Sequence, residues 1–229
     1  MRRSLLTAAL ASGAMLASVS LAHADLTGQL TVANANLASQ GAGPYASYDI
    51  AGETAGLETS CTTSCTEFVV TLTGLNGFVF GDHNIIDLNV SSSAGAVTYV
   101  ASSASISPFS LATSGGNNVD GFGSFTARFD DGSGFSSGGY SSITFEFTTA
   151  NAIDLANLLT ANGQGAEVAA HMALGTNTAC TGFTADAGSS SDTTVGTDCT
   201  TTPVPEPSTL ALLGAALLGL GAVRRRRRA

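Results

Sequence analysis

The stretch SITFEFT, residues 142–148, alternates apolar and polar side chains without a break. On an extended chain Ile143, Phe145 and Phe147 fall on one side, and Thr144, Glu146 and Thr148 on the other. The period is two, so the stretch is expected to be a half-buried strand. FTARF, residues 125–129, repeats the pattern, with Phe125, Ala127 and Phe129 alternating with Thr126 and Arg128. The two segments are expected to pair antiparallel, both aromatic faces on the core.

Further strands are predicted at LTGQLTV (26–32), EFVVTLT (67–73), GFVF (77–80), IIDLNV (85–90), VTYVA (97–101) and 167–174. One short helix is predicted in NAIDLANLLTANGQG (151–165), where Ile153, Leu155, Leu158 and Leu159 approach helical spacing and Asn162-Gly163 supplies a stop. Short strands separated by Gly, Asn and Ser point to a mainly all-β chain, with a single β-sandwich or jelly-roll-like domain over residues 25–183. Residues 184–203, polar and low in complexity, are expected to form a Ser/Thr/Gly-rich stalk. No internal repeat is visible.

The two ends differ from this body. MRRSLLTAALASGAMLASVSLAHA has two arginines, an apolar run and small residues at alternate positions up to Ala24, the layout of a signal peptide over residues 1–24. At the other end, residues 204–229 read VPEPSTLALLGAALLGLGAVRRRRRA. From Thr209 to Val223 there is no charge, which as a helix spans about 22 Å, and the leucines point all round it. This is a minimal transmembrane helix, and Arg224, Arg225, Arg226, Arg227 and Arg228 form a membrane stop on the cytoplasmic side.

Pro205, Glu206 and Pro207, followed by the apolar segment and the arginine cluster, resemble the PEP-CTERM sorting signal of Gram-negative bacteria. The resemblance covers only residues 204–229. It implies an exosortase-type processing enzyme as partner, transient membrane insertion, and a mature form at the cell surface or outside the cell. It also implies an association with exopolysaccharide and biofilm. By analogy with other removable tails, the mature chain would keep no transmembrane helix.

Dividing the charges along these boundaries sharpens the picture. Of the eight basic residues, all arginine, seven lie in the two ends, so the exported body keeps Arg128 alone. Glu206 is the one acid outside the body, so sixteen of seventeen acids remain and the body's formal charge is −15. Such a body repels phosphate backbones and anionic headgroups, so no nucleic-acid partner is expected and peripheral membrane binding is disfavoured as well.

Four cysteines, Cys61, Cys65, Cys180 and Cys199, all fall in the exported body. An even count in an oxidising compartment points to two disulfides. Local pairing, Cys61 with Cys65 and Cys180 with Cys199, is expected. The spacing does not suit a zinc site.

No catalytic residue is expected. Gly134-Phe135-Ser136-Ser137-Gly138 matches G-x-S-x-G, and Asp154 and His171 follow in hydrolase order. A nucleophile elbow, however, needs a strand before the serine and a helix after it, whereas this serine sits in a Gly/Ser loop before a strand. Besides His171 only His83 remains in the body, and His171 is expected to be a satisfied core or edge residue.

No cofactor is expected, with structural calcium the exception to weigh. Asp82, Asn84, Asp87 and Asn89, then Asn117, Asn118 and Asp120, then Asp130 and Asp131 cluster in loops that could offer oxygens. The same residues are what tight turns require. A carbohydrate platform would draw on Tyr45, Tyr48, Tyr99 and Tyr140, since the chain has no tryptophan. The composite expectation is an exported, non-enzymatic surface or matrix protein, with a glycan- or calcium-dependent binding module as the alternative and a secreted hydrolase behind both.

Overall fold

The computed structural model describes residues 25–53, 66–81, 84–101, 103–112, 118–132, 135, 138–175 and 177–199. The expected signal peptide with Ala24, the expected pair Cys61 and Cys65, and the tail with its Pro-Glu-Pro triplet and arginines lie outside them.

Two antiparallel sheets share one core. The first contains β1 (Leu26–Leu30), β3 (Ala46–Glu53), β4 (Thr66–Gly74), β12 (Ser142–Thr149) and β7 (Val97–Tyr99), in the order β1-β3-β4-β12-β7. The second contains β2 (Val32–Ala33), β14 (Asn177–Ala185), β13 (Val168–Leu174), β6 (Ile86–Leu88), β11 (Ala127–Asp130) and β8 (Ser110–Ala112), in that order, with β5 (Phe78–Phe80) also on β13. Phe68, Val70, Leu72, Ile143, Phe145 and Phe147 of the first sheet bury against Ile86, Leu88, Phe129, Val168 and Met172 of the second. The alternation read at 142–148 is reproduced side chain by side chain, Ile143, Phe145 and Phe147 being fully buried.

The expected partnership is corrected. β12 pairs with β4 over all eight residues and with β7 at one end, while β11 pairs with β6 and β8. The aromatic faces still meet, but across the sandwich, with the Phe129 ring 4.4 Å from Phe145 and 5.9 Å from Phe147. Alternation fixes which face turns inward and says nothing about which strand lies alongside. Phe125 departs too. It belongs to a second cluster with Val119, Phe122, Ala166, Ala169 and Ala185, formed on the outer face of the second sheet beneath the hairpin of β9 (Asn118–Val119) and β10 (Gly123–Ser124).

The helix expected in 151–165 is reduced to a 3-10 turn at Leu155–Asn157. Tertiary hydrogen bonds take its backbone. Ser91 N donates to Leu158 O, Thr160 N to Asn89 O, and the Asn162 amide reaches Phe122 O. The α-helix lies elsewhere. α1 (Ala35–Gln40) is capped by Asn34, whose Oδ1 accepts from Leu37 N and also from Phe183 N of β14. Six residues are too few to show a helical period in the sequence.

The stalk expectation is also corrected within the described residues. Thr184 and Ala185 complete β14, Ser191 N donates to Gly121 O, Gly196 N to Asn36 Oδ1, and Cys199 is buried in a disulfide with Cys180. Residues 184–199 are laid along the domain.

Candidate functional site

The outer face of the first sheet is polar because the out-facing positions of its strands are. Register sets Thr27 beside Asp49 and Asp49 beside Thr71, then Thr71 beside Thr144. One step along, Gln29, Ser47, Thr73 and Ser142 form a parallel row. The β1, β3 and β4 members of these rows, Thr27, Gln29, Ser47, Asp49, Thr71 and Thr73, line an open groove of about 420 Å³ together with Gly28 and Tyr48. Asp49 Oδ1 is buried there with no hydrogen-bond partner among the described residues. Groove walls of hydroxyls, an amide and a carboxylate can hydrogen-bond a polyhydroxylic ligand in both directions. Sequence reading missed this site, although its signal is the polar half of the same alternation that revealed the core.

On the inner face of β3, the Tyr48 ring lies across Gly28, where a Cβ would overlap it. Burial pushes its hydroxyl pKa up to about 12, and Asp186 and then Glu167 add to the rise. Tyr45 is buried against Phe78, with ring centroids 4.9 Å apart, and its hydroxyl donates to Gly41 O. The expectation of Tyr45 and Tyr48 as an exposed sugar platform is therefore overturned. Tyr99 packs on Phe109 and Tyr140 is half-buried.

The second sheet's outer face holds two buried ionisable groups, Asp87 and His171. Asp87 is fully buried in β6, and the Nε of Arg128 in β11 lies 3.6 Å from its Oδ1. Burial pushes the Asp87 carboxyl up to about 7, against the pull of Arg128, and Asp130 pushes the same way as burial. His171 is buried, its ring stacked on Phe183 at 4.3 Å and met edge-on by Phe135 at 5.6 Å. Asp154 is exposed at the start of the Leu155–Asn157 turn, and Ser136 and His83 lie outside the described residues. His171 is thus packed as a core aromatic, as its apolar strand suggested.

The Asx residues weighed for calcium are largely engaged in structure. Asn89 holds Thr160 O through its amide at 2.7 Å, and Asp130 Oδ1 accepts from Gly132 N at 2.7 Å to close a turn. Asn84 O accepts from His171 N, Asn118 pairs in the β9–β10 hairpin, and Asp120 stands at its turn, with Asp131 buried. Among the described residues no three His, Cys, Asp or Glu are placed to hold a metal ion. Asp82 and Asn117 lie outside them. Nor is any helix of the described residues long and apolar enough to cross a membrane.

The family model of the PEP-CTERM protein-sorting motif matches residues 203–228. The chain carries that motif, which marks an exported protein of Gram-negative type processed at the membrane by an exosortase. No curated protein and no solved structure matches the chain.

Proposed function

We propose that this is a non-enzymatic protein of the cell surface or extracellular matrix, associated with exopolysaccharide and biofilm, whose tail inserts transiently in the membrane before removal. The observation that supports this reading most is the sorting motif at residues 203–228, joined to an acidic domain of two packed β-sheets. The body's single cation, Arg128, is paired with Asp87, and His171 is packed between two rings, so the described domain spends these groups on its own structure.

Intact-mass measurement tests the processing. In cells with an active exosortase the mature chain is expected to lack Arg224–Arg228, whereas a variant with Pro205, Glu206 and Pro207 all replaced by alanine should keep them. Wild-type protein that retains the arginines would sink the reading.

The groove supports a second reading, a glycan-binding module, because Asp49 Oδ1 is buried there without a protein donor. An unsatisfied buried acceptor is costly unless a ligand or water completes it. The occupant would be a neutral or amine-bearing sugar chain, since Asp49 repels anionic ones. Asp49→Ala should abolish retention on such a polysaccharide, and undiminished retention would remove this reading.

A further inference from the structure

Cys199 is bonded to Cys180 and buried, and the segment leading to it is tied to α1 at several points. Asp192 O accepts from Ala35 N at 3.3 Å, Asn36 Oδ1 from Gly196 N at 2.7 Å, and Cys199 O from the Ser39 hydroxyl at 3.5 Å. We propose that this clamp holds the α1 end of the domain facing the bilayer surface while the tail is inserted. The inference rests on the membrane insertion proposed above.

Tether length carries the argument. The sorting motif begins four residues past Cys199, a reach of at most about 14 Å. Thr209, where the expected membrane span begins, lies ten residues past Cys199, about 35 Å at full stretch. A domain of this size is roughly 40 Å across, so a tether this short keeps its exit point turned toward the membrane. Were the leash to start at Ala185, where β14 ends, its reach would be about 80 Å and the domain could turn over freely.

The two ends of the domain are distinguishable along β13. Gln40 of α1 accepts from Leu174 N at one end of that strand. At the other end Val168 faces Leu88, and nearby Val90 bridges Leu159 in the segment that follows the Leu155–Asn157 turn. Ala38 and Ser39 are exposed at the first end and Asn157 at the second. Val195, 41% exposed in the clamped segment, is the one exposed large hydrophobic residue among those described. Asp192 and Asp198 give the same segment no affinity for anionic headgroups, so the tether holds the face in place and cleavage releases it.

The test uses the full precursor in cells lacking the processing enzyme, with a photo-crosslinking side chain at Ala38, Val195 or Asn157. Lipid adducts are expected several-fold more often from Ala38 and Val195 than from Asn157. A twenty-residue Gly/Ser insertion after Thr200 should erase the difference. Equal adducts from all three positions in the uninserted precursor, retained in membranes after alkaline extraction, would overturn the orientation alone. Adducts from Ala38 and Val195 to protein instead of lipid would overturn the bilayer as the facing surface. A precursor released by alkaline extraction would overturn both this inference and the insertion on which it rests. Unchanged disulfide-dependent gel mobility shows that each labelled chain has kept its clamp.

Discussion

Asp87 and Arg128 face each other in adjacent strands of the second sheet, and their burial makes the domain's stability depend on pH. The folded-state pKa of Asp87, pushed up to about 7 by burial, lies above the ordinary carboxylate value. The native state therefore binds the proton more tightly than the unfolded chain does, and stability declines as pH rises from about 4 to about 7. Glu167, also raised by burial and then by Asp186, contributes in the same direction. Melting temperature of the exported domain should fall across that range. Asp87→Asn should flatten much of the slope, leaving the share of Glu167, and an unaltered slope would show that Asp87 stays ionised throughout. Arg128 was legible in the sequence as the body's one cation, and Asp87 as one acid of sixteen. Their pairing was not, because it depends on β6 lying beside β11, two strands some forty residues apart.

Among the elements, strands announced themselves and their neighbours did not. The segments 67–73 and 142–148 lie wholly on observed strands, since period-two alternation is written residue by residue, while 97–101 is strand only over Val97–Tyr99 and 167–174 only from Val168. β11 was expected beside β12 and instead faces it, and the result is an aromatic cluster of Phe109, Phe129, Phe145 and Phe147 spanning both sheets. Phe129→Ala should cost about 3–5 kcal/mol, read from the denaturant midpoint, because a fully buried ring leaves a cavity between the layers. Thr73→Ala on the exposed outer face should stay within about 0.5 kcal/mol. Equal costs would mean that the two layers do not share this core. α1 escaped notice because its stability comes from Asn34, whose side chain serves the helix and β14 together, a contact linking positions far apart in the chain. The 151–165 segment misled for the converse reason, its leucines being spaced by packing against strands rather than by helical turns.

At the scale of the whole molecule, the Cys180–Cys199 bridge closes a loop with a sequence separation of 19 and joins the end of the described chain to β14. Cross-linking such a loop stabilises by about 3 kcal/mol in the chain-entropy account. The double variant Cys180→Ser, Cys199→Ser should lose about that much in chemical denaturation while keeping its β-sheet circular dichroism. No loss would show that the hydrogen bonds of 191–196 hold the segment unaided. Taken alone, the sequence determined the class of the fold, the inward face of each clear strand, the acidic character of the body and the sorting motif, because all of these are local patterns or sums over residues. Only the tertiary structure decided which strands are neighbours, where the polar groove forms and that residues 184–199 are clamped rather than free. Those outcomes depend on residues distant in the chain meeting in one packing solution, and no local pattern records that meeting.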